Sequence, residues 1–134
     1  MAVDPGFIEG FLDRLQQAVR SQDPRQVAKL CTDDVVFDDA GAERAVTGRE
    51  ALMELLGSIY GLAVDVKVDM IDSYISLDGL TAAARWRTSG ILRDPAGQPA
   101  QMETAEFYDF RDGLISHWIF MVRDLDWLGR QWGA

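Results

Sequence analysis

The sequence predicts an α+β domain in which three helices of the N-terminal half pack on one face of a curved, mostly antiparallel sheet. Apolar residues recur at helical spacing before Gly61, whereas period-two alternation dominates after it. The 134 residues, 48% of them apolar, suffice for one hydrophobic core, and 1–134 is therefore interpreted as a single domain. A sheet that curves over helices leaves a pocket on its concave side, which suits a small apolar ligand.

The helices are predicted from start signals followed by apolar stripes. Asp4-Pro5 and Asp23-Pro24 each place an N-cap residue before a proline, which is typical of a first helical turn. Thr47 and Glu50 have the spacing of a capping box. A short helix is also expected after the last strand, on the spacing of its leucines and tryptophan. The expected helices cover 5–21, 24–30, 48–60 and 125–132.

The strands are predicted from alternation of apolar and polar residues. The alternation slips at Met70-Ile71, which predicts a bulge or a strong bend. Arg93 to Pro99 is a loop, and Arg111-Asp112-Gly113 joins the last two strands as a hairpin. The expected strands cover 35–37, 64–70, 80–89, 101–110 and 114–122.

Charge and cysteine content narrow the classes of partner. The net charge of −9 repels phosphate backbones and anionic lipids, so nucleic acid is not expected as a partner. The single Cys31 and single His117 predict neither an internal disulfide nor a Cys/His metal cluster, which favours a reduced, cytoplasmic setting. The sequence offers no apolar run of membrane-spanning length and no signal-peptide pattern at its start, so no membrane association is expected.

Two segments carry a resemblance to a known family. The run DDVVFDDAGAERAVTG, residues 33–48, resembles the first strand and connecting loop of the nuclear transport factor 2-like superfamily, which includes ketosteroid isomerase and the SnoaL-like polyketide cyclases. The C-terminal AEFYDFRDGLISHW, followed by RDLDWLGRQWG, is similar to the SnoaL-like pattern of strand, acidic-Gly turn, strand with Trp, Asp and closing Gly. The resemblance implies a cone-shaped α+β barrel that encloses a pocket. Because the superfamily also includes dehydratases, epoxide hydrolases and non-catalytic binding domains, the fold alone does not decide the function.

The resemblance also implies roles for three acidic residues. Asp39 matches the position of the general base of ketosteroid isomerases. Glu106 matches the position where the isomerases hold a neutral Asp as oxyanion donor and the cyclases have a His. Asp124 matches the catalytic Asp of SnoaL-like cyclases. Leu15 falls near the position of the isomerase oxyanion Tyr, which is a departure from the isomerase pattern.

The residues themselves leave alternatives open at these positions. Glu106 shares a strand face with Thr104 and Tyr108, so it is expected in an apolar pocket where burial raises the pKa of its carboxyl; the alternative is a solvent-facing strand residue. Asp39 is in phase with Phe37, but it is equally an Asx-turn residue before a glycine loop. Asp124 stands at the end of an aromatic strand and is equally an N-cap of the terminal helix.

Aromatic and apolar residues are expected to form the walls of the pocket, although each is also a candidate core or interface anchor. Arg85 and Arg87 share a strand face and are expected to be solvated or paired with acids on a neighbouring strand, the alternative being an inward arginine that orients a carboxylate. His117 lies on the face opposite Trp118 and is expected to be a packed or interface residue. The ligand-binding candidates are Leu15, Phe37, Trp86, Tyr108, Trp118 and Phe120.

Together these features predict an acid/base enzyme that needs no cofactor and no metal and that acts on a hydrophobic polyketide- or steroid-like carbonyl compound by cyclisation, isomerisation or dehydration. Asp124 or Asp39 is the expected base and Glu106 its donor or partner. The alternatives are an epoxide hydrolase and a non-catalytic binding or assembly module. A homodimer is also expected, because strand 114–122 is apolar on both faces and the helices cover only one of them.

Overall fold

The computed structural model describes residues 5–40 and 43–122. Within these two ranges, three helices precede or interrupt a sheet of six strands, in the order α1, α2, β1, β2, α3, β3, β4, β5, β6. No helix in this part of the chain is long and apolar enough to cross a membrane. The helices are α1 (Pro5–Arg20), α2 (Pro24–Ala28) and α3 (Arg49–Tyr60), and the strands are β1 (Cys31–Asp39), β2 (Arg44–Thr47), β3 (Ala63–Ile75), β4 (Thr81–Leu92), β5 (Pro99–Arg111) and β6 (Leu114–Val122).

α1 and α2 begin at the predicted prolines, Pro5 and Pro24, and the predicted N-cap Asp4 lies outside the described residues. Asp23 caps α2 by accepting a hydrogen bond from the Arg25 amide at 3.0 Å. The predicted capping box is wrong, because Thr47 is the last residue of β2 and pairs with Val36 of β1. The N-cap of α3 is instead Gly48, at φ 94°, with no side-chain capping bond. The predicted terminal helix over 125–132 lies outside the described residues.

The strand order in the sheet is β2-β1-β6-β5-β4-β3. Among the described strands, the β1–β6 pairing is parallel and the other four are antiparallel, so the predicted, mostly antiparallel sheet is confirmed. The sequence did not predict β2, because its four residues are only exposed or half-buried and give no apolar signal. β1 also begins earlier than predicted, at Cys31, since its polar start pairs with β6 through an irregular register.

The predicted bulge and hairpin are both present. The register of β3 against β4 shifts between Met70 and Asp72, and the Met70 amide donates to Gln16 Oε1 of α1 at 2.7 Å. This bond fixes α1 over β3. Between β5 and β6, Asp112 and Gly113 both have positive φ, 55° and 76°, as a two-residue turn of type I′ requires.

The two faces of the sheet differ in character. The inner face, which packs against the helices, carries the buried side chains of β5 at every second position. The outer face carries charged pairs, including Arg85 with Asp72 and Arg87 with Glu103. The inner face therefore forms the core, and the site described next is cut into it.

Candidate functional site

A cavity of about 60 Å³ lies between the inner face of the sheet and the helices α1 and α3. Each water molecule takes roughly 10–15 Å³ of such volume, so the cavity has room for a compact ligand or a few waters. Aromatic rings and aliphatic chains form most of its wall. The lining residues are Val19, Gln22, Phe37, Leu56, Ile59, Tyr60, Val66, Val68, Trp86, Thr88, Met102, Thr104, Glu106, Trp118 and Phe120.

Glu106 is the carboxylate in this wall among the described lining residues. β5 places it there because the alternation of that strand puts Thr104, Glu106 and Tyr108 on the inner face, as predicted. The side chain is 5% exposed. Among the ion pairs of the described residues, none involves Glu106; burial of a carboxylate without a cation is unusual, so its hydrogen bonds decide what it can do.

Three uncharged donors contact the two oxygens of Glu106. Trp118 Nε1 of β6 donates to Oε1 at 2.8 Å, and the Tyr108 hydroxyl donates to the same oxygen at 3.1 Å. The Thr104 hydroxyl donates to Oε2 at 2.6 Å. Behind this group, Trp86 Nε1 of β4 donates to the Tyr108 hydroxyl at 2.8 Å. Three adjacent strands thus hold one carboxyl in a fixed orientation.

The electrostatic consequence is a shifted titration of Glu106. Burial raises the pKa of its carboxyl to about 7, and the bonds from Thr104, Trp118 and Tyr108 limit that rise because they favour the ionised form. Burial, and then the charge of Glu106, raises the pKa of Tyr60 on α3 above its usual range. Near neutral pH the cavity therefore holds the Glu106 carboxyl, which can take or give a proton, and the Tyr60 phenol, which stays protonated.

Asp39 lies in the same cross-strand row but not in the wall of the cavity. Along the row, Asp39 pairs with Phe120, and Phe120 pairs with Glu106, so the two acidic residues are separated by two strand spacings of about 5 Å each. Asp39 is 1% exposed, and its Oδ2 accepts from Arg44 Nε of β2 at 3.2 Å. Its Oδ1 has no hydrogen-bond partner in the part of the chain that the structure describes.

The other predicted site residues fall in different places. Asp124 lies outside the described residues. Leu15 is buried in the core and is not among the residues that line the cavity. Tyr108 touches Glu106 from behind rather than lining the cavity. The four remaining candidates, Phe37, Trp86, Trp118 and Phe120, line it.

The charged residues of the outer face do not enter the cavity. Arg85 Nη2 binds Asp72 Oδ2 at 2.5 Å and Arg87 Nη2 binds Glu103 Oε1 at 2.9 Å, so the predicted pairing with acids on neighbouring strands is confirmed. His117 Nδ1 lies 3.6 Å from Asp109 Oδ2, also on the outer face. In the described part of the chain, no three His, Cys, Asp or Glu side chains are grouped so that they could hold a metal ion.

Sequence reasoning missed Thr104 and Tyr60 as parts of the site. Thr104 had a signal, since it stands two residues before Glu106 on the same strand and two-residue spacing puts side chains on one face. The sequence signal for Tyr60 was weaker. This residue ends the apolar stripe of α3, where a polar tip on an otherwise apolar helix face indicates a hydroxyl that reaches into an enclosed space.

The family is established by comparison with known sequences. The SnoaL-like domain matches residues 12–118, and the chain belongs to this family. A comparison with curated proteins finds no significant match.

Solved structures agree with this assignment at the level of the fold. A protein from Catenulispora acidiphila with a ketosteroid isomerase-like fold, in complex with trimethylamine, is 17% identical over 82% of each chain, with a TM-score of 0.72. A candidate SnoaL-like polyketide cyclase from Jannaschia sp. CCS1 is 14% identical over 92% of this chain and 89% of that one, with a TM-score of 0.78. SalBIII, an epoxide hydrolase/cyclase-like enzyme of pyran ring formation in salinomycin, is 15% identical over 88% and 92%, with a TM-score of 0.76. The chain has the ketosteroid isomerase-like α+β fold.

Proposed function

We propose that this protein is an acid/base enzyme that moves a proton at a carbon next to a carbonyl group in a small hydrophobic compound. Cyclisation, isomerisation and dehydration of polyketide-like compounds all pass through such a step. Glu106 carries the proton, and the apolar walls of the cavity select the ligand. The protonation state of Glu106 carries the proposal, because a buried carboxyl whose pKa is about 7 exchanges protons readily near neutral pH.

The enolate oxygen that develops in such a step needs a donor, and Tyr60 supplies it in this proposal. Tyr60 lines the same cavity from α3, opposite the strand that holds Glu106. Because burial raises the pKa of its phenol, the hydroxyl stays protonated and is able to donate. A base and a donor on opposite walls are the minimum that proton abstraction beside a carbonyl requires.

Two features favour carbonyl chemistry over the opening of an epoxide. Epoxide opening needs an arginine or another cation to orient a carboxylate base. Arg85 and Arg87 are engaged on the outer face, and the described lining residues include no arginine, lysine or histidine.

Asp39 is held by Arg44 and serves here as a structural charge. The role of Asp124 as base stays a prediction.

The test needs no knowledge of the natural substrate. Cyclopentanone, cyclohexanone and 2-tetralone are incubated with the protein in D₂O, and deuterium uptake at the carbon next to the carbonyl is followed by NMR. We expect exchange above the buffer rate, and its rate constant should rise through about pH 7 as the Glu106 base ionises. Glu106→Gln should lose about a hundred- to ten-thousand-fold of the exchange rate.

Glu103→Gln is the matched control for this experiment. Glu103 is a carboxylate on the same strand, but on the outer face and paired with Arg87. Its variant should exchange deuterium at the wild-type rate. Equal exchange by wild-type protein and Glu106→Gln would contradict the proposal. Saturable binding of the ketones without exchange would instead identify a non-catalytic binding module.

A homodimer is the second part of the proposal. Phe107 and Met121 on the outer face are 44% and 45% exposed, and they lie on the neighbouring strands β5 and β6. Large apolar side chains on an exposed sheet face favour burial against another surface, and a second copy of the chain related by a two-fold axis provides that surface. Light scattering at micromolar concentration should give twice the monomer mass, and Phe107→Lys should shift it to the monomer.

A further inference from the structure

The hydrogen bonds around Glu106 have a fixed direction on one side of the carboxyl. An indole N–H donates and never accepts, so Trp118 Nε1 requires Oε1 to be an acceptor. Trp86 Nε1 likewise requires the Tyr108 oxygen to be an acceptor. With that role filled, Tyr108 turns its own hydrogen toward Glu106 Oε1.

The direction is not fixed on the other side. Glu106 Oε2 contacts the Thr104 hydroxyl at 2.6 Å, and a hydroxyl both donates and accepts. When the carboxyl is ionised, Thr104 donates to Oε2. When Oε2 carries a proton, Thr104 can accept from it and turn its own hydrogen elsewhere.

We propose that Oε2 is the oxygen of Glu106 that gains and loses the proton, and that Thr104 is the positioning residue whose hydroxyl reverses direction to follow it. Oε1 stays an acceptor in both states, since two donors already point at it. Only the catalytic consequence of this assignment rests on the proposed function. The assignment of the two oxygens rests on the hydrogen-bond geometry alone.

The position of the partners relative to the cavity supports this assignment. Thr104, the partner of Oε2, lines the cavity, and of the two partners of Oε1, Trp118 lines it whereas Tyr108 does not. Of these two wall residues, the Thr104 hydroxyl both accepts and donates whereas the Trp118 indole only donates, so Thr104 is the one able to pass a proton between Oε2 and a ligand. After the Glu106 carboxylate has taken a proton from the ligand carbon, Oε2 can pass a proton to the Thr104 oxygen while Thr104 passes its own hydrogen back to the enolate, so that Thr104 ends unchanged and Glu106 ends ionised again.

The ionisable groups that face Glu106 do not disturb this arrangement near neutral pH. Tyr60 faces it from α3, and burial raises the pKa of that phenol. Tyr108 faces it on β5, and burial, followed by the charge of Glu106, raises the pKa of its phenol well above the usual range. From α1, β3, β4 and β6, the described lining residues are uncharged.

The test is a titration of the Glu106 carboxyl by NMR of protein labelled with ¹³C at the glutamate side chains. Glu106→Gln identifies the signal. Tyr108→Phe and Trp118→Phe each remove a bond that only the ionised form receives in full, so each should raise the pKa of Glu106 by about one unit or more. Thr104→Val removes a partner of both the ionised and the protonated carboxyl. It should therefore move the pKa of Glu106 by less than half as much as Tyr108→Phe or Trp118→Phe does.

Two controls separate the hydroxyl from simple repacking. Thr104→Ser keeps a hydroxyl and should restore wild-type behaviour. Thr88→Val makes the same change at another threonine of the cavity wall, away from the carboxyl bonds, and should leave the pKa unchanged. Trp118→Phe and Tyr108→Phe report on the same oxygen, so the comparison survives if either variant fails to fold.

A rise in pKa for Thr104→Val that equals or exceeds the rise for Tyr108→Phe would overturn the assignment, because it would make Thr104 a donor to the ionised form only. Deuterium exchange then tests the catalytic consequence separately. At a pH where Glu106 is ionised in all variants, Thr104→Val should lose at least tenfold in exchange rate and Thr104→Ser should recover it. Expected pKa shifts without any exchange in wild-type protein would contradict the proposed function and leave the oxygen assignment intact.

Discussion

Asp39 and Glu106 are two buried carboxylates in one cross-strand row, separated by Phe120, and their partners make them chemically different. Asp39 has the guanidinium of Arg44 at 3.2 Å. Within the described residues, the partners of Glu106 are two hydroxyls and an indole N–H, all of them uncharged. A cation compensates the charge of a buried acid, whereas neutral donors compensate only part of it, and the remaining cost appears as a raised pKa.

Burial alone does not distinguish the two acids. Both side chains are at most 5% exposed, and both follow from the same alternation of strand residues. Asp39 lies one strand from the end of the sheet, next to β2, where the short β-hairpin brings an arginine opposite it. Glu106 lies in the middle of the sheet, where the neighbouring strands supply aromatic residues and threonine. The position in the sheet therefore decides whether the buried acid meets a cation or uncharged donors.

The largest expected difference between the two acids is in proton exchange. Asp39→Asn should retain deuterium exchange within about threefold of the wild type, against the hundred- to ten-thousand-fold loss for Glu106→Gln. The side chain of Asp39 does not line the cavity, and this is the reason for the expected difference. Both variants are assayed on the same ketones at saturating concentration. A loss for Asp39→Asn as large as that for Glu106→Gln would make Asp39 the base instead.

The part of the contrast between Asp39 and Glu106 that depends on a single strand was predictable, and the part that depends on contacts between strands was not. The inward orientation of Glu106 followed from alternation along β5, and that of Asp39 from its phase with Phe37. The hydrogen-bond partners were not predictable, because Trp118 of β6 reaches Glu106 although its register partner is Tyr108, two residues further along β5. Cross-strand contacts of this kind depend on register, which the alternation of one strand does not specify.

The partner of Asp39 was missed for a related reason. Arg44 is opposite Asp39 only because β1 and β2 form a hairpin with that register, and β2 is too short and too polar to be seen in the sequence. The capping-box prediction failed at the same place, since Thr47 belongs to that strand. One unpredicted strand of four residues thus accounts for both errors.

The second largest effect is expected on stability. Arg44→Met should lower the free energy of unfolding by about 3 kcal/mol, because it leaves the buried Asp39 carboxylate without its cation. The value lies at the low end for a broken buried pair, since the arginine side chain is 37% exposed. Urea unfolding at neutral pH measures it. Adding Asp39→Asn to Arg44→Met should recover part of the loss, and a double variant no more stable than Arg44→Met would show that the ion pair is not the cause.

The third effect concerns the pH dependence of stability that the raised pKa of Glu106 creates. The folded-state pKa of Glu106, about 7, is above its unfolded value, so the folded protein binds more protons between these pKa values and its stability falls as pH rises through this range. Glu106→Gln removes this dependence. Between about pH 4.5 and pH 8, the free energy of unfolding of the variant relative to wild type should therefore increase by about 2 to 3 kcal/mol. A difference that stays constant with pH would mean that Glu106 titrates normally.

The smallest effect is expected on the outer face, where charge pairs resemble the Asp39–Arg44 pair in chemistry but not in burial. Arg87 and Glu103 are in contact at 2.9 Å, with the arginine side chain 52% exposed. Water already solvates such charges and salt screens them, so an exposed pair adds little to stability. Arg87→Gln should shift the melting temperature by less than about 3 °C in low salt, and the shift should vanish in high salt. A shift as large as that of Arg44→Met, unaffected by salt, would show that the outer face is covered in solution, which is the condition the proposed dimer would create.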